Sequence, residues 1–435
     1  MFILIYHAEQ HNSLVISHIS TFISPFHFSC SSLLMQLPEF HSFRIRQQTF
    51  HLPQSAVSHF NLGRPLFLGK GGYGVVGHLN TLQSSRFPDI ALKKFDNPFR
   101  KAKTAQRCFR ELQLLSRIHH ENIVNLLFAF SPNPSSDSLE EIYLITEYAG
   151  EDLATLIGKE TLNRHFYYLK DFKSMLTQLL TALQFLNSSK VIHRDLKPQN
   201  IALKPNGKLT LLDFGLARVI DNDREMTSNP GTIFYQAIET IPECNCRYDE
   251  RADIWSVGAI LCEMVTGSIL FEDRNPFVKA MSICGPMGER VLSQINNKDL
   301  RDYLEKKSET CKRINLVDYL EKDGRRWIKK ELKNDRKNMQ SFLDFTLQFD
   351  KTKRMTVNEA LQHPFLREEG KTPFWSCIPM TSSQSDQSDI YGEEEREVVE
   401  FSDEEEIQFE KSEDEIKHWK DSIWNQLNFM PNPFI

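Results

Sequence analysis

Two segments carry residue types suited to handling phosphate. Gly69-Lys70-Gly71-Gly72-Tyr73-Gly74-Val75-Val76 is a GxGxxGxV run. Glycines at Gly69, Gly71, Gly72 and Gly74, leading to Val76, permit a tight strand-turn-strand and let backbone N–H groups approach phosphate oxygens. A plain β-hairpin fits the same residues. Lys93 ends an apolar strand, Ile90-Ala91-Leu92-Lys93. A lysine flanked by buried residues needs an anionic partner. Glu111, inside Phe109-Arg110-Glu111-Leu112, can supply one and leave the ammonium aimed at phosphates. Taken alone, Lys93 also reads as a surface lysine.

A third segment decides between these readings. Val191-Ile192-His193-Arg194-Asp195-Leu196-Lys197-Pro198-Gln199-Asn200 is followed by Asp213-Phe214-Gly215. The pair resembles the catalytic and metal-binding loops of the eukaryotic protein kinases, in the family's order with the glycine loop and Lys93. Phosphoryl transfer needs positioning and charge neutralisation more than covalent help. The resemblance implies that Asp195 orients the substrate hydroxyl and that Lys197 stabilises charge on the moving group. It also implies that Asn200 and Asp213 hold Mg²⁺ on ATP, while Lys93, fixed by Glu111, grips the phosphates. Thr146 would be the gatekeeper, with a hinge at Glu147-Tyr148-Ala149-Gly150 meeting adenine and Asp152 meeting the ribose. Lysine at position 197 is the serine/threonine-kinase choice. The alternative is a nucleotide-binding, kinase-like scaffold with little turnover.

Within the kinases, Lys93-Lys94-Phe95-Asp96-Asn97-Pro98-Phe99 and Arg107-Cys108-Phe109-Arg110-Glu111-Leu112 resemble the mitogen-activated protein kinases, in their stress-activated (Hog-type or Jun-kinase-type) branches. The resemblance implies a helical insert near 285–324, a tail over 416–435 that packs back on the kinase, and an upstream MAP-kinase kinase. It further implies protein substrates and docking partners with basic–apolar motifs, recruited by acidic residues near Glu368 and Glu369. Pro205-Asn206 stands where some members are acidic.

The activation segment departs from the family pattern. Met226-Thr227-Ser228-Asn229 has asparagine where members carry the tyrosine of a Thr-x-Tyr pair, and Ile233 and Gln236 stand where two arginines would hold its phosphate. The threonine side is intact: Arg107, Arg194 and Arg218 are the partners the resemblance implies for a phosphate on Thr227. Glu225 or Asp223 can fill the same pocket. Switching through Thr227 alone follows, and the changes at Gly231 and Gln236 predict a relaxed preference for proline after the target residue. Ile238 replaces a family proline, while Glu239 can still pair with Arg354.

The elements that position these residues read as an α+β, two-lobed kinase fold. A small β-rich lobe over 41–147 carries one helix at Ala105–Arg117, with Leu112, Leu115 and Ile118 on its apolar stripe. A helical lobe over 148–370 has short strands near Ile201–Leu203 and Leu209–Leu212. Asp253–Thr266 is apolar nearly all round, as in a buried helix. Residues 371–415 read as an acidic flexible linker, and Ile416, Trp419, Ile423 and Leu427 fall at helical spacing. Residues 1–40 are an extension of unassigned role that contains no Lys or Arg, which argues against a transit peptide or secretory signal.

Composition sets the outer limits. The 435 residues carry a net charge of −6, with 40% hydrophobic residues, which excludes a wholly disordered chain. Between Asp386 and Ile416 there are 15 acidic residues against two basic ones, so the remaining body is net positive. Eight cysteines without a repeated CxxC spacing argue against a disulfide scaffold or zinc module, and Cys244 and Cys246 lack a second pair. No apolar run approaches the ~20 residues of a membrane span. The expectation is a monomer, cytoplasmic and nuclear, without nucleic-acid or membrane partners.

Overall fold

The computed structural model describes residues 39–71, 74–158, 169–219, 233–240, 248–323, 335–367 and 413–434. Gly72, Thr227 and the rest of 220–232, Cys244, Cys246, Glu368, Glu369 and the acidic run up to Ser412 lie outside these residues.

The small lobe opens with a hairpin, β1 (Phe40–Ile45) and β2 (Gln48–Pro53), then a short helix α1 (Gln54–Val57). Next come β3 (Leu66–Gly71), β4 (Gly74–Leu79), β5 (Ile90–Phe95), α2 (Ala102–Leu115), β6 (Leu126–Phe130) and β7 (Tyr143–Glu147). Five strands form an antiparallel sheet in the order β3-β4-β5-β7-β6. Successive side chains of a strand point to opposite faces. Alternation on β5 therefore sends Ile90 and Leu92 into the core beneath the hairpin, and Ala91 and Lys93 to the cleft.

The large lobe begins with β8 (Glu151–Asp152), α3 (Leu153–Gly158) and α4 (Leu169–Ser188). Four short strands, β9 (Val191–Ile192), β10 (Ile201–Leu203), β11 (Leu209–Leu211) and β12 (Arg218–Val219), frame the loops that carry the motifs. Helix α5 (Arg251–Thr266) is apolar on nearly all sides and buried from Ala252 to Val265. It stops at Gly267, left-handed at φ 79°, whose N–H closes on Glu263 O. Helices α6 (Pro276–Cys284), α7 (Glu289–Leu292), α8 (Lys298–Ser308) and α9 (Leu316–Asp323) follow, the last three inside the expected insert. Helix α10 (Arg336–Thr346) and α11 (Val357–Gln362), the latter with a Thr356/Glu359 capping box, complete the lobe.

The architecture is the expected α+β, two-lobed kinase fold, with differences at the edges. The hairpin Phe40–Pro53 begins one residue before the expected start of the small lobe. The small-lobe helix runs Ala102–Leu115 rather than 105–117, and Ile118 is buried just beyond its end. The last helix, α12 (Glu413–Asn428), begins three residues before the anticipated tail. It lies against α2, with Trp419 and Phe109 rings 5.5 Å apart and Gln426 donating to Ser116 at 3.1 Å. Beyond it Phe434 enters a nest of Phe60, Phe87 and Phe128 at centroid distances of 5.8, 4.7 and 6.2 Å. Residues late in the chain thereby complete the small-lobe core.

Candidate active site

Between the lobes lies a cleft of about 1450 Å³. Its roof is the β3–β4 hairpin, with Gly69, Gly71, Gly74 and Val76 on the lining. The register pairs Gly71 with Gly74 and Val76 with Lys93, so β4 lies beside the strand that carries the lysine. The back wall carries Lys93 and Thr146, the hinge Glu147, Ala149 and Asp152, and the floor Asp195, Lys197, Asn200 and Asp213.

At the hinge, Glu147 N–H donates to Asn125 O and Tyr148 N–H to Asp89 O. The Ala149 N–H has no partner among the described residues. Gly150 adopts φ 106°, and a Cβ there would collide with Leu203 O, so this turn admits only glycine. Asp152 accepts from the Thr155 N–H and hydroxyl at 2.8 and 2.6 Å, which fixes its carboxylate at the cleft edge.

Lys93 Nζ lies 2.7 Å from Glu111 Oε1 and 3.8 Å from Asp213 Oδ1. Burial alone would lower the lysine pKa, but Asp213 and Glu111 outweigh it and hold the ammonium charged, well above its ordinary value. Asp213 has left-handed backbone, φ 56°, and accepts the Gly215 N–H at 3.2 Å. Burial would raise its carboxyl; Lys93 and that N–H reverse the shift, so it is ionised at neutral pH.

On the floor, Asp195 and Lys197 form a 2.9 Å ion pair. Asn200 Nδ2 donates to the Asp195 carbonyl at 2.8 Å and to its carboxylate at 3.0 Å, which turns the amide oxygen outward from that pair. The loop is anchored from below: Asp253 on α5 accepts the His193 and Arg194 N–H groups, each at 2.9 Å. His193 Nε2 bridges 2.9 Å to Leu212 O, joining this loop to the segment before Asp213. The motif residues, dispersed over more than a hundred positions, thus meet in one cleft; Gly72 is outside the described residues.

Beside the cleft, Arg107, Arg194 and Arg218 converge, and a fourth arginine, Arg110, joins them. Burial pushes the Arg110 guanidinium down to about 10, helped by the positive charge of Arg218, Arg194 and Arg107. Arg194 is lowered mainly by burial, with Tyr248 opposing; its guanidinium lies 5.2 Å over the Tyr248 ring. Sequence reasoning missed Arg110, although it stands three residues after Arg107 on one helix face. It missed Asp253 too, a carboxylate in the first turn of a buried, largely apolar helix, which could have flagged it as an anchor. Glu239 and Arg354 form a buried pair at 2.5 Å, bracing the turn at Ile238–Thr240.

Comparison with known proteins agrees with this geometry. A family model described as protein kinase domain matches residues 65–366. The chain is similar to mitogen-activated protein kinase pmk-1 of Caenorhabditis elegans, 34% identical over 303 residues, covering 69% of this chain and 74% of the relative. It is similar to mitogen-activated protein kinase 12 of Mus musculus, 34% over 301 residues (68% and 76%). Mitogen-activated protein kinase p38a of Drosophila melanogaster is 32% identical over 374 residues (84% and 89%). A glycine roof over a held lysine and a floor of Asp195, Lys197, Asn200 and Asp213 are therefore found in a chain that belongs to the protein kinase family, as a divergent stress-activated mitogen-activated protein kinase with serine/threonine specificity.

Proposed function

We propose that the chain transfers the ATP γ-phosphate to serine or threonine of protein substrates at this cleft, and that Thr227 switches it. The observation that carries the first part is the meeting of Lys93, Asp195 and Asp213 around one cavity. Asp195 accepts the proton of the substrate hydroxyl as its oxygen bonds to the γ-phosphorus and the bridging bond to ADP breaks. Lys197 neutralises charge on the transferring group. Lys93, steadied by Glu111, binds the α- and β-phosphates, and the glycine turn offers backbone N–H groups to them. The free Ala149 N–H and the hinge carbonyls serve adenine, and Asp152 serves the ribose.

The donor set suits magnesium. An ionised Asp213 and the outward amide oxygen of Asn200 are hard oxygen ligands, few in number, as expected for an ion shared with substrate phosphates. When bound, the metal supplies charge neutralisation on the phosphates. Calorimetry of MgATP binding together with transfer assays of Asp195→Asn tests the reading: binding should survive in the variant and transfer should vanish.

Regulation follows from the arginines. A phosphate on Thr227 would relieve the mutual repulsion of Arg107, Arg110, Arg194 and Arg218 and order the segment. An upstream MAP-kinase kinase is the natural donor, and phosphopeptide mapping of active protein should find Thr227 modified. The acidic linker at 371–415 and the residues near Glu368 and Glu369 would recruit basic–apolar docking motifs. No described helix is long and apolar enough to cross a membrane. A monomer acting in cytoplasm and nucleus is in keeping with the family.

A further inference from the structure

His78 stands on β4 two residues after Val76, and the register sets it opposite Ala91 on β5. Val76 and Ala91 both line the cleft. Side chains two apart on a strand, and those directly opposite across a ladder, share a face. His78 therefore continues the cleft-facing row at its hinge end, where it is 5% exposed. Its ring lies flat on that of Tyr148, the hinge residue that lines the cleft, with centroids 3.9 Å apart and planes 19° from parallel.

Asp89 ties this stack together. Its Oδ2 lies 3.5 Å from His78 Nε2, a buried nitrogen that makes no hydrogen bond. Its Oδ1 accepts the Thr81 N–H at 2.7 Å, and its carbonyl accepts the Tyr148 N–H at 2.8 Å. Burial pushes the imidazole below its ordinary value, with the Asp89 carboxylate opposing, so the ring is uncharged at neutral pH. Burial raises the Tyr148 hydroxyl, and the charges of Glu151, Asp89 and Asp152 add to the shift. The strand partners of His78, Leu66 and Ala91, do not titrate.

We propose that His78 is a positioning residue for the nucleotide: its neutral imidazole steadies the hinge through Tyr148, and a proton taken up by the ring loosens adenine. This rests on the kinase reading above and adds a control to the same site. An imidazolium carries N–H at both nitrogens. Its Nε2–H draws in the Asp89 carboxylate, and with it the backbone that accepts the Tyr148 N–H. Ala149, whose N–H serves adenine, is the next residue. Adenine against Tyr148 also excludes water beside a ring whose burial already disfavours charge. Proton and adenine thus oppose each other, and the opposition is reciprocal. Affinity is full above the folded-state pKa of His78 and falls as pH drops through it.

The test uses the full chain and adenosine, which has no phosphate to titrate. Calorimetry should show binding weakened about fivefold from about pH 7.5 to about pH 5, the low end of coupling between two sites. His78→Phe keeps a flat ring that cannot take a proton, and should hold the ratio near one. Asp89→Asn keeps an acceptor for Thr81 but loses the charge, and should move the midpoint to lower pH. In the wild type, the NMR titration of the His78 ring should shift to lower pH when adenosine is bound, a readout that stands even where a variant folds poorly. Affinity independent of pH, affinity rising in acid, or an unchanged slope in His78→Phe overturns the inference and leaves the kinase reading intact. Failure of both adenosine and MgATP to bind at any pH overturns both.

Discussion

Glu111 grips Lys93 with both carboxylate oxygens, at 2.7 and 2.8 Å, from a helix that is itself clasped by α12. Glu111 is buried and Lys93 half-buried at the cleft wall, so the carboxylate has no water to fall back on. Glu111→Gln should lower kcat by about 10²-fold through misplacement of the phosphate-binding ammonium. Steady-state kinetics with a generic protein substrate checks this, and a change within twofold would show that the lysine does not need its partner.

The arginine cluster predicts opposite effects in two states of the chain. Removing one positive charge with Arg110→Leu should raise the melting temperature of unphosphorylated protein, because the remaining guanidinium groups repel less. The same change should reduce the stabilisation gained when Thr227 is phosphorylated, by about 1.5–3 kcal/mol for one lost charge-assisted hydrogen bond. Calorimetric melting of both forms, wild type and variant, measures the difference. An undiminished gain on phosphorylation would mean the phosphate sits elsewhere.

A pH effect arises at Glu263. Burial raises its carboxyl, with the Tyr235 hydroxyl opposing. The folded pKa therefore lies above the unfolded value of about 4.3. In that window the folded state binds more protons, so the contribution to stability is greatest below it and declines as pH rises through the folded pKa. Glu263→Gln still accepts the hydroxyl bond but does not titrate. Its melting temperature should fall less than wild type between acidic and neutral pH; parallel profiles would refute the assignment.

The tail predicts a distant effect. Phe434 is 6% exposed among small-lobe aromatics, and Arg86 donates to the carbonyl of Pro433 at 3.4 Å. Phe434→Ala should destabilise the chain by about 3 kcal/mol, the low end for emptying a buried phenylalanine site. Hydrogen exchange should quicken at Phe60 and Phe87 rather than in α5. Faster exchange in the large lobe alone would place the tail's contribution elsewhere.

What the sequence made legible was the chemistry. Asp195, Lys197, Asn200 and Asp213 sit in short runs where the reaction constrains residue type and spacing together. The start of α2 was read three residues late because Lys101, its N-cap, makes no side-chain capping bond, so no Ser, Thr, Asp or Asn marks the boundary. Arg110 escaped notice because an arginine next to a glutamate on a helix reads as a solvated face until the facing elements are known. The pairing of Phe434 with Phe87 is a contact between distant positions, and local periodicity carries no trace of it.

That contact has a consequence for biosynthesis. The small lobe leaves the ribosome first, yet its aromatic nest stays unfilled until residue 434 has been translated. Closure of such a long loop is entropically costly and slow. The nascent lobe must wait, with greasy surface uncovered, for the entire catalytic body to emerge, which makes it a natural client for chaperones.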